Sequence, residues 1–187
     1  MNLARPRDVF LLSVAVGAVA VAAAFGVTKF RQDRAVPAHP LVPGIEISQQ
    51  LQPDAMGIAR RRFVTVIDMR PDGEAAGQPS STEMAAAAQA SHLQFAYVPV
   101  PHGDIPDAVV DHLADALAAR PGPVLLYCRS GRRAARSWSL VEAARPGGLG
   151  VEQILEAVKA SGQDASDLRA RLDQRVKARK PAAGAGA

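Results

Sequence analysis

The apolar run Val124-Leu125-Leu126-Tyr127 passes directly into Cys128-Arg129-Ser130-Gly131-Arg132-Arg133 and then into a helical pattern from Arg133 to Ala144. A buried strand that ends in a cysteine, turns through an Arg- and Gly-containing loop and enters a helix leaves few options for the surrounding fold. Backbone N–H groups of such a loop and of the helix N-terminus point inward and form an anion cradle. Arg129, Arg132, Arg133 and Arg136 crowd the same segment, a field that favours a thiolate. Cys128 is the only cysteine of the chain. A small buried residue at a strand end is the ordinary reading of such a position, but the glycine and the arginines point to a nucleophile instead. With no second cysteine, an oxidised or persulfidated Cys128 has to be resolved by an external thiol.

The pattern around this segment alternates strands and helices. Ile45-Glu46-Ile47 reads as an edge strand, and Pro53-Asp54 starts a helical turn leading to Ala59. Phe63 to Ile67 is a β-branched apolar run ending at Asp68, followed by the charged turn-rich loop Asp68-Met69-Arg70-Pro71-Asp72-Gly73-Glu74. Ser80 and Glu83 form a capping box that opens an alanine-rich helix to about Ser91. Phe95 to Val100 is a second core strand. Pro106 and Asp107 open a helix with Val109, Val110, Leu113 and Leu117 on one face, and Val151 to Ala160 reads as a further helix. This order predicts an α/β fold, a mainly parallel sheet flanked by helices. Ligands of such sheets sit beyond the carboxyl ends of the strands, which here are Asp68, Val100-Pro101-His102 and Cys128. Asp68, Arg70, His102 and Asp104 are therefore candidate neighbours of the thiol.

Five segments are expected along the chain: an N-terminal tail 1–8, a transmembrane anchor 9–27, a Pro-rich linker 28–43, a catalytic domain 44–165, and a basic helix with a disordered tail 166–187. The 19 residues from Val9 to Val27 carry no charge, enough to span about 29 Å as a helix. Ala22-Ala23-Ala24 offers an alternative cleavage site, yet the apolar run is long for a signal peptide and continues past it. One retained N-terminal transmembrane helix is the expectation, which makes this a single-pass membrane protein, at the inner membrane, with the side of the catalytic domain left open. The formal charge of +4 is localised, because residues 167–180 hold six basic and two acidic side chains. Leu168, Leu172 and Val176 recur every fourth residue there, as in an amphipathic helix resting on an anionic membrane or, more simply, a solvated terminal helix. Aromatic residues make up 4% of the chain with no basic-aromatic interleaving, so nucleic acid is not an expected partner. His39, His92, His102 and His112 show no ligand spacing, so neither a metal nor another cofactor is expected.

Four stretches in order resemble a known bacterial family: Ser48-Gln49-Gln50-Leu51-Gln52-Pro53-Asp54, Val66 through Glu74, Gly77-Gln78-Pro79-Ser80-Ser81, and Tyr127 through Arg133. That family is the phosphatase-like domain of beta-lactamase hydrolase-like proteins, and the resemblance covers about residues 44–145. It implies a fold like that of cysteine-dependent dual-specificity phosphatases, with Cys128 as nucleophile, Arg133 as the anion-clamping arginine and Gly131 turning the loop amides inward. The family has also been classed with sulfurtransferases, because members are found beside sulfide-oxidising enzymes. The β-lactamase element of its name belongs to a separate domain with no trace here.

Loop length separates the two chemistries. Tyrosine and dual-specificity phosphatases place five residues between cysteine and arginine, whereas four separate Cys128 from Arg133, as in rhodanese-type loops. Ala134 follows the arginine where phosphatases usually carry a hydroxyl, which Ser130 replaces only if geometry allows. Sulfur transfer needs Cys128, Gly131 and Arg133, a small sulfur-containing anion as donor, and an external acceptor thiol. Phosphoester hydrolysis also needs an acid for the leaving alcohol. Asp104, in a His-Gly-Asp loop, is the first candidate, with Asp68 and His102 as alternatives, although Asp104 equally suits a turn before Pro106. The expectation is a membrane-anchored cysteine enzyme, a sulfurtransferase first and a phosphatase as the alternative. A non-catalytic anion-binding module is the third reading.

Overall fold

The computed structural model describes residues 36–179. Five strands form one sheet: β1 (Ala38–Val42), β2 (Ile45–Ser48), β3 (Thr65–Asp68), β4 (Gln94–Tyr97) and β5 (Val124–Tyr127). Their order is β1-β2-β5-β3-β4. β1 pairs antiparallel with β2, and every other neighbour is parallel. β5 thus lies between β2 and β3, and its carboxyl end opens into a crevice with a strand end on either side, where α/β sheets bind ligands.

Both faces of the sheet are covered, which explains why the inner strands read as continuous apolar runs. On one face Leu51, Met56, Phe63, Val66, Met84, Leu125 and Tyr127 pack beneath helices α1 (Met56–Ala59) and α2 (Ser81–Ala90). On the other, Ile47, Ile67, Val98 and Leu126 pack against α3 (Asp107–Ala118), α4 (Arg132–Ala144), α5 (Val151–Ala160) and α6 (Arg169–Lys177). The period of two is visible in neighbours: Val66 and Leu125 face one layer, Ile67 and Leu126 the other. The capping box at α2 is complete, with Ser80 accepting from the Glu83 N–H and Glu83 accepting from the Ser80 N–H.

Two expectations about boundaries need correction. Residues 38–42 are not linker but the edge strand β1, paired with β2 and carrying the buried Leu41. Its prolines disguised it. Pro40 belongs on an edge strand, where a missing N–H need not break the ladder, and the pairing shifts between Pro40 and Val42. The catalytic domain does not end at 165 either. Leu168 and Leu172 are buried in the core and Val176 packs against it, so α6 is an integral layer.

The basic helix lies on the domain itself, so neither the membrane-resting nor the solvated reading describes it. Arg169 pairs with Glu152, Arg171 with Asp104 and Asp107, and Arg175 with Asp107. Arg179 donates to the carbonyls of Ala143 at 2.7 Å, Gly148 at 2.8 Å and Glu142 at 2.9 Å, capping α4 where its dipole is negative. Among the described residues no helix is long and apolar enough to cross a membrane. The expected anchor 9–27, the tail 1–8 and the end of the chain from 180 lie outside the described residues.

Candidate active site

Cys128 directly follows β5 and is 1% exposed. The loop after it is pinned from both sides by its carbonyls. The Gln50 N–H donates to the Arg129 carbonyl at 3.4 Å, and Gln163 Nε2 donates to the Ser130 carbonyl at 3.2 Å. With those oxygens turned outward, no backbone carbonyl of the described residues takes up the N–H groups of Arg129, Ser130 or Gly131. Gly131 makes the turn possible. Its φ is +88°, and an added Cβ would meet Gln163 Nε2 at 3.3 Å and Ile47 Cδ1 at 3.5 Å. α4 starts at the next residue, so the unpaired N–H groups of its first turn complete the cradle.

Arg133 leaves the first turn of α4 and meets the loop after β3. Its Nη2 donates to Glu74 Oε2 at 2.7 Å, while Nη1 donates to Glu74 Oε1 and to the Val100 carbonyl, the latter at 2.8 Å. A guanidinium has five N–H groups. Glu74 and Val100 take three, which leaves the Nε–H and one Nη2–H as an intact edge suited to two oxygens of one anion. The Cys128 sulfur lies within hydrogen-bonding reach of this arginine. Partial burial opposes the Arg133 charge; Glu74 and the neighbouring sulfur more than offset it, so the guanidinium pKa lies above its ordinary value.

Glu74 is the hub that the sequence reading missed. Besides Arg133 it accepts from Arg70 Nε at 2.8 Å and lies 3.1 Å from His102 Nε2. Arg133 chiefly, with Arg70 and His102 adding, holds its carboxyl down at about 2 against the effect of burial. Arg70, itself buried, also donates to Gln50 Oε1 at 2.8 Å. Asp72 holds the same loop by accepting from the Ser81 N–H and hydroxyl, both at 2.7 Å. The available signal was Arg-Pro-Asp-Gly-Glu at a strand's carboxyl end, a carboxylate facing a cradle rich in arginine.

A cleft of about 450 Å3 opens over the cradle. It is lined by Arg129, Ser130, Arg132, Arg133 and Arg136 together with His102, Gly103 and Asp167. Arg136 is held by both oxygens of Asp167, with Nη2 to Oδ2 at 2.8 Å. Of the predicted residues, the structure brings together Cys128, Arg129, Ser130, Gly131, Arg132, Arg133 and His102. Two candidate acids lie elsewhere. The Asp104 side chain, 86% exposed, accepts from the Ile105 N–H at 2.8 Å and from Arg171 Nη1 at 3.2 Å, on the α6 side of its loop. Asp68 is buried at the end of β3, where Oδ1 accepts from the Arg70 N–H at 2.9 Å. Burial pushes its carboxyl up to about 6, although the adjacent Tyr127 hydroxyl and the Arg70 N–H lower it. Tyr127 is raised in turn, by burial and then by Asp68, and its hydroxyl finds no well-formed hydrogen-bond partner. Asp68 is thus a buried support of the Arg70 loop rather than a cleft residue.

Fold and site together define the cysteine-phosphatase-like class, a mainly parallel sheet whose central strand ends in a thiol cradled by a helix N-terminus. Residues 39–145, more than half of the chain, match the family "Beta-lactamase hydrolase-like protein, phosphatase-like domain", and the chain belongs to that family. A beta-lactamase hydrolase-like protein of Xylella fastidiosa is 37% identical over 87 residues, 46% of this chain and 20% of that protein. Its counterpart in Agrobacterium fabrum is 33% identical over 95 residues, 51% of this chain and 22% of that protein. The match therefore spans about a fifth of the length of these curated relatives. A candidate phosphatase from Neisseria meningitidis superposes with a TM-score of 0.64 at 28% identity, covering 73% of this chain and 96% of that one. Pseudomonas aeruginosa TpbA, solved with phosphotyrosine, shares the fold at 18% identity and a TM-score of 0.55, covering 76% and 90%.

Proposed function

We propose that this protein is a cysteine-dependent phosphoester hydrolase. The observation that carries the reading is Arg133, which keeps its Nε–H and one Nη2–H free, interacts with the Cys128 sulfur and lines a cleft together with three further arginines. Membership of a phosphatase-like family favours the same chemistry over sulfur transfer, which the sequence alone ranked first.

In this reading the Cys128 thiolate attacks phosphorus in line. The P–O bond to the alcohol breaks as the S–P bond forms, and the departing oxygen takes a proton from an acid. The loop N–H groups and the Arg133 edge hold the three equatorial oxygens as charge builds on them. Water then cleaves the S–P bond, releasing inorganic phosphate and restoring the thiolate. Asp104 serves as acid after exchanging its Arg171 contact for the cleft, and His102, which already lines the cleft, is the alternative. The domain works tethered to the membrane by residues 9–27.

A second reading rests on the four-residue spacing from Cys128 to Arg133 and on Ala134. There the Cys128 thiolate attacks the outer sulfur of a sulfane donor such as thiosulfate, the donor's S–S bond breaks to release sulfite, and the resulting persulfide passes its sulfur to an external thiol, so no acid is needed. The test is parallel turnover of phosphate monoesters and of thiosulfate by the full chain and by Cys128→Ser. Phosphate release that depends on Cys128 supports hydrolysis. Thiol-dependent sulfur release without phosphate release overturns it.

A further inference from the structure

The charge and polarity of the cleft carry more than the cradle needs for one phosphoryl group. Arg133 and Arg136 each face a carboxylate, Glu74 and Asp167, so their charges are largely neutralised within the fold. Arg129 and Arg132 are exposed and form no ion pair among the described residues, although both line the cleft. Two unneutralised guanidinium groups thus stand one and four residues from Cys128, outside the bonds that hold the cradle together. Guanidinium groups pair with phosphate oxygens through paired N–H groups, and a site that holds two in reserve is matched to an anion with charge to spare.

The second observation concerns what the cleft lacks. None of its lining residues has an aliphatic, phenyl, phenol or indole side chain. Small-molecule sites are usually walled by apolar side chains, and an aryl phosphate needs such a wall for its ring. This cleft offers guanidinium, imidazole, hydroxyl and carboxylate groups only. Its volume, about 450 Å3, suits a small ligand.

We infer that the substrate is a small, multiply phosphorylated polyol, whose reacting phosphate sits on the cradle and whose second phosphate is held by Arg129 and Arg132. This rests on the hydrolase reading but specifies its ligand, and binding tests the two separately. Affinities of inositol hexakisphosphate, inositol monophosphate and phosphotyrosine are measured calorimetrically on full-length Cys128→Ser, where no turnover intervenes. The expected result is at least tenfold tighter binding of the hexakisphosphate than of either monoester. Adding Arg129→Gln and Arg132→Gln, both at exposed positions, is expected to shrink that preference to within a factor of two or three. Equal affinities, tighter binding of phosphotyrosine, or a preference that survives both substitutions would overturn the inference. Phosphate release by the unsubstituted chain from these compounds is the separate readout for hydrolysis. If binding shows the preference and no phosphate is released, the ligand class stands and the hydrolase reading falls.

Discussion

Arg133 grips both carboxylate oxygens of Glu74, 59 residues away, and in doing so commits one side of its guanidinium to the fold. The bond ties α4 to the loop after β3. The Val100 carbonyl adds the loop after β4, so one side chain locks three carboxyl-terminal loops into a single geometry.

Glu74→Gln keeps the shape and removes the charge. With Arg133 and Arg70 left without a carboxylate, the expected cost is about 3 kcal/mol of stability, and kcat/KM falls by about tenfold to a hundredfold as the Arg133 edge loses its alignment. Denaturant melts and steady-state kinetics of the two chains check this. The pH dependence has a definite sign. In the unfolded chain Glu74 titrates near its ordinary 4.5, and in the fold near 2. The contribution is complete above 4.5 and is lost as pH falls toward 2, so the variant's stability varies less with pH across that window.

Asp68→Asn acts the other way. Unfolded, Asp68 releases its proton near 3.8; folded, it keeps it up to about 6. Stability therefore falls as pH rises between those values and stays lower above them. An asparagine oxygen still accepts the Arg70 N–H, and its amide can donate to the unpaired Tyr127 hydroxyl. The variant should be about 1–2 kcal/mol more stable at pH 7, with the slope between pH 3.8 and 6 reduced. Unchanged stability at both ends would show that Asp68 ionises freely in the fold.

Leu172→Ala tests whether α6 belongs to the domain. Leu172 is fully buried, so truncation should cost about 3 kcal/mol, as for other core leucines. A helix merely resting on the surface would lose a few tenths of that. Chemical denaturation of the purified chain decides between them.

These residues also mark where the sequence was transparent and where it was not. Local signals were legible: the capping box at Ser80 and Glu83, the apolar strand before Cys128, and the positive-φ glycine at 131 each depend on a few neighbouring residues. Boundaries blurred by a few residues, as in the strand expected from Phe63 that begins at Thr65, because the buried Phe63 gives its N–H to the Ala59 carbonyl of α1 and not to the ladder. β1 escaped notice because three prolines within seven residues, Pro37, Pro40 and Pro43, read as extended linker. The basic helix was legible as amphipathic, but its partners Glu152, Asp107 and Asp104 lie 17 to 68 residues away, and spacing alone carries no information about such pairs. Glu74 was hidden in the same way, as a turn residue until Arg133 is placed beside it. Asp167 belonged to a tail until α6 docked and brought it to the cleft wall.

The most direct test of the account is the covalent state of Cys128 during turnover. The full chain is mixed with a phosphate monoester, quenched in acid within the first turnovers, and digested for mass spectrometry of the peptide carrying Cys128. The account predicts a phosphoryl adduct on that sulfur, formed and lost at rates matching phosphate release and absent in Cys128→Ser. Phosphate release with an unmodified Cys128 throughout, or only a persulfide adduct after exposure to thiosulfate, would contradict it.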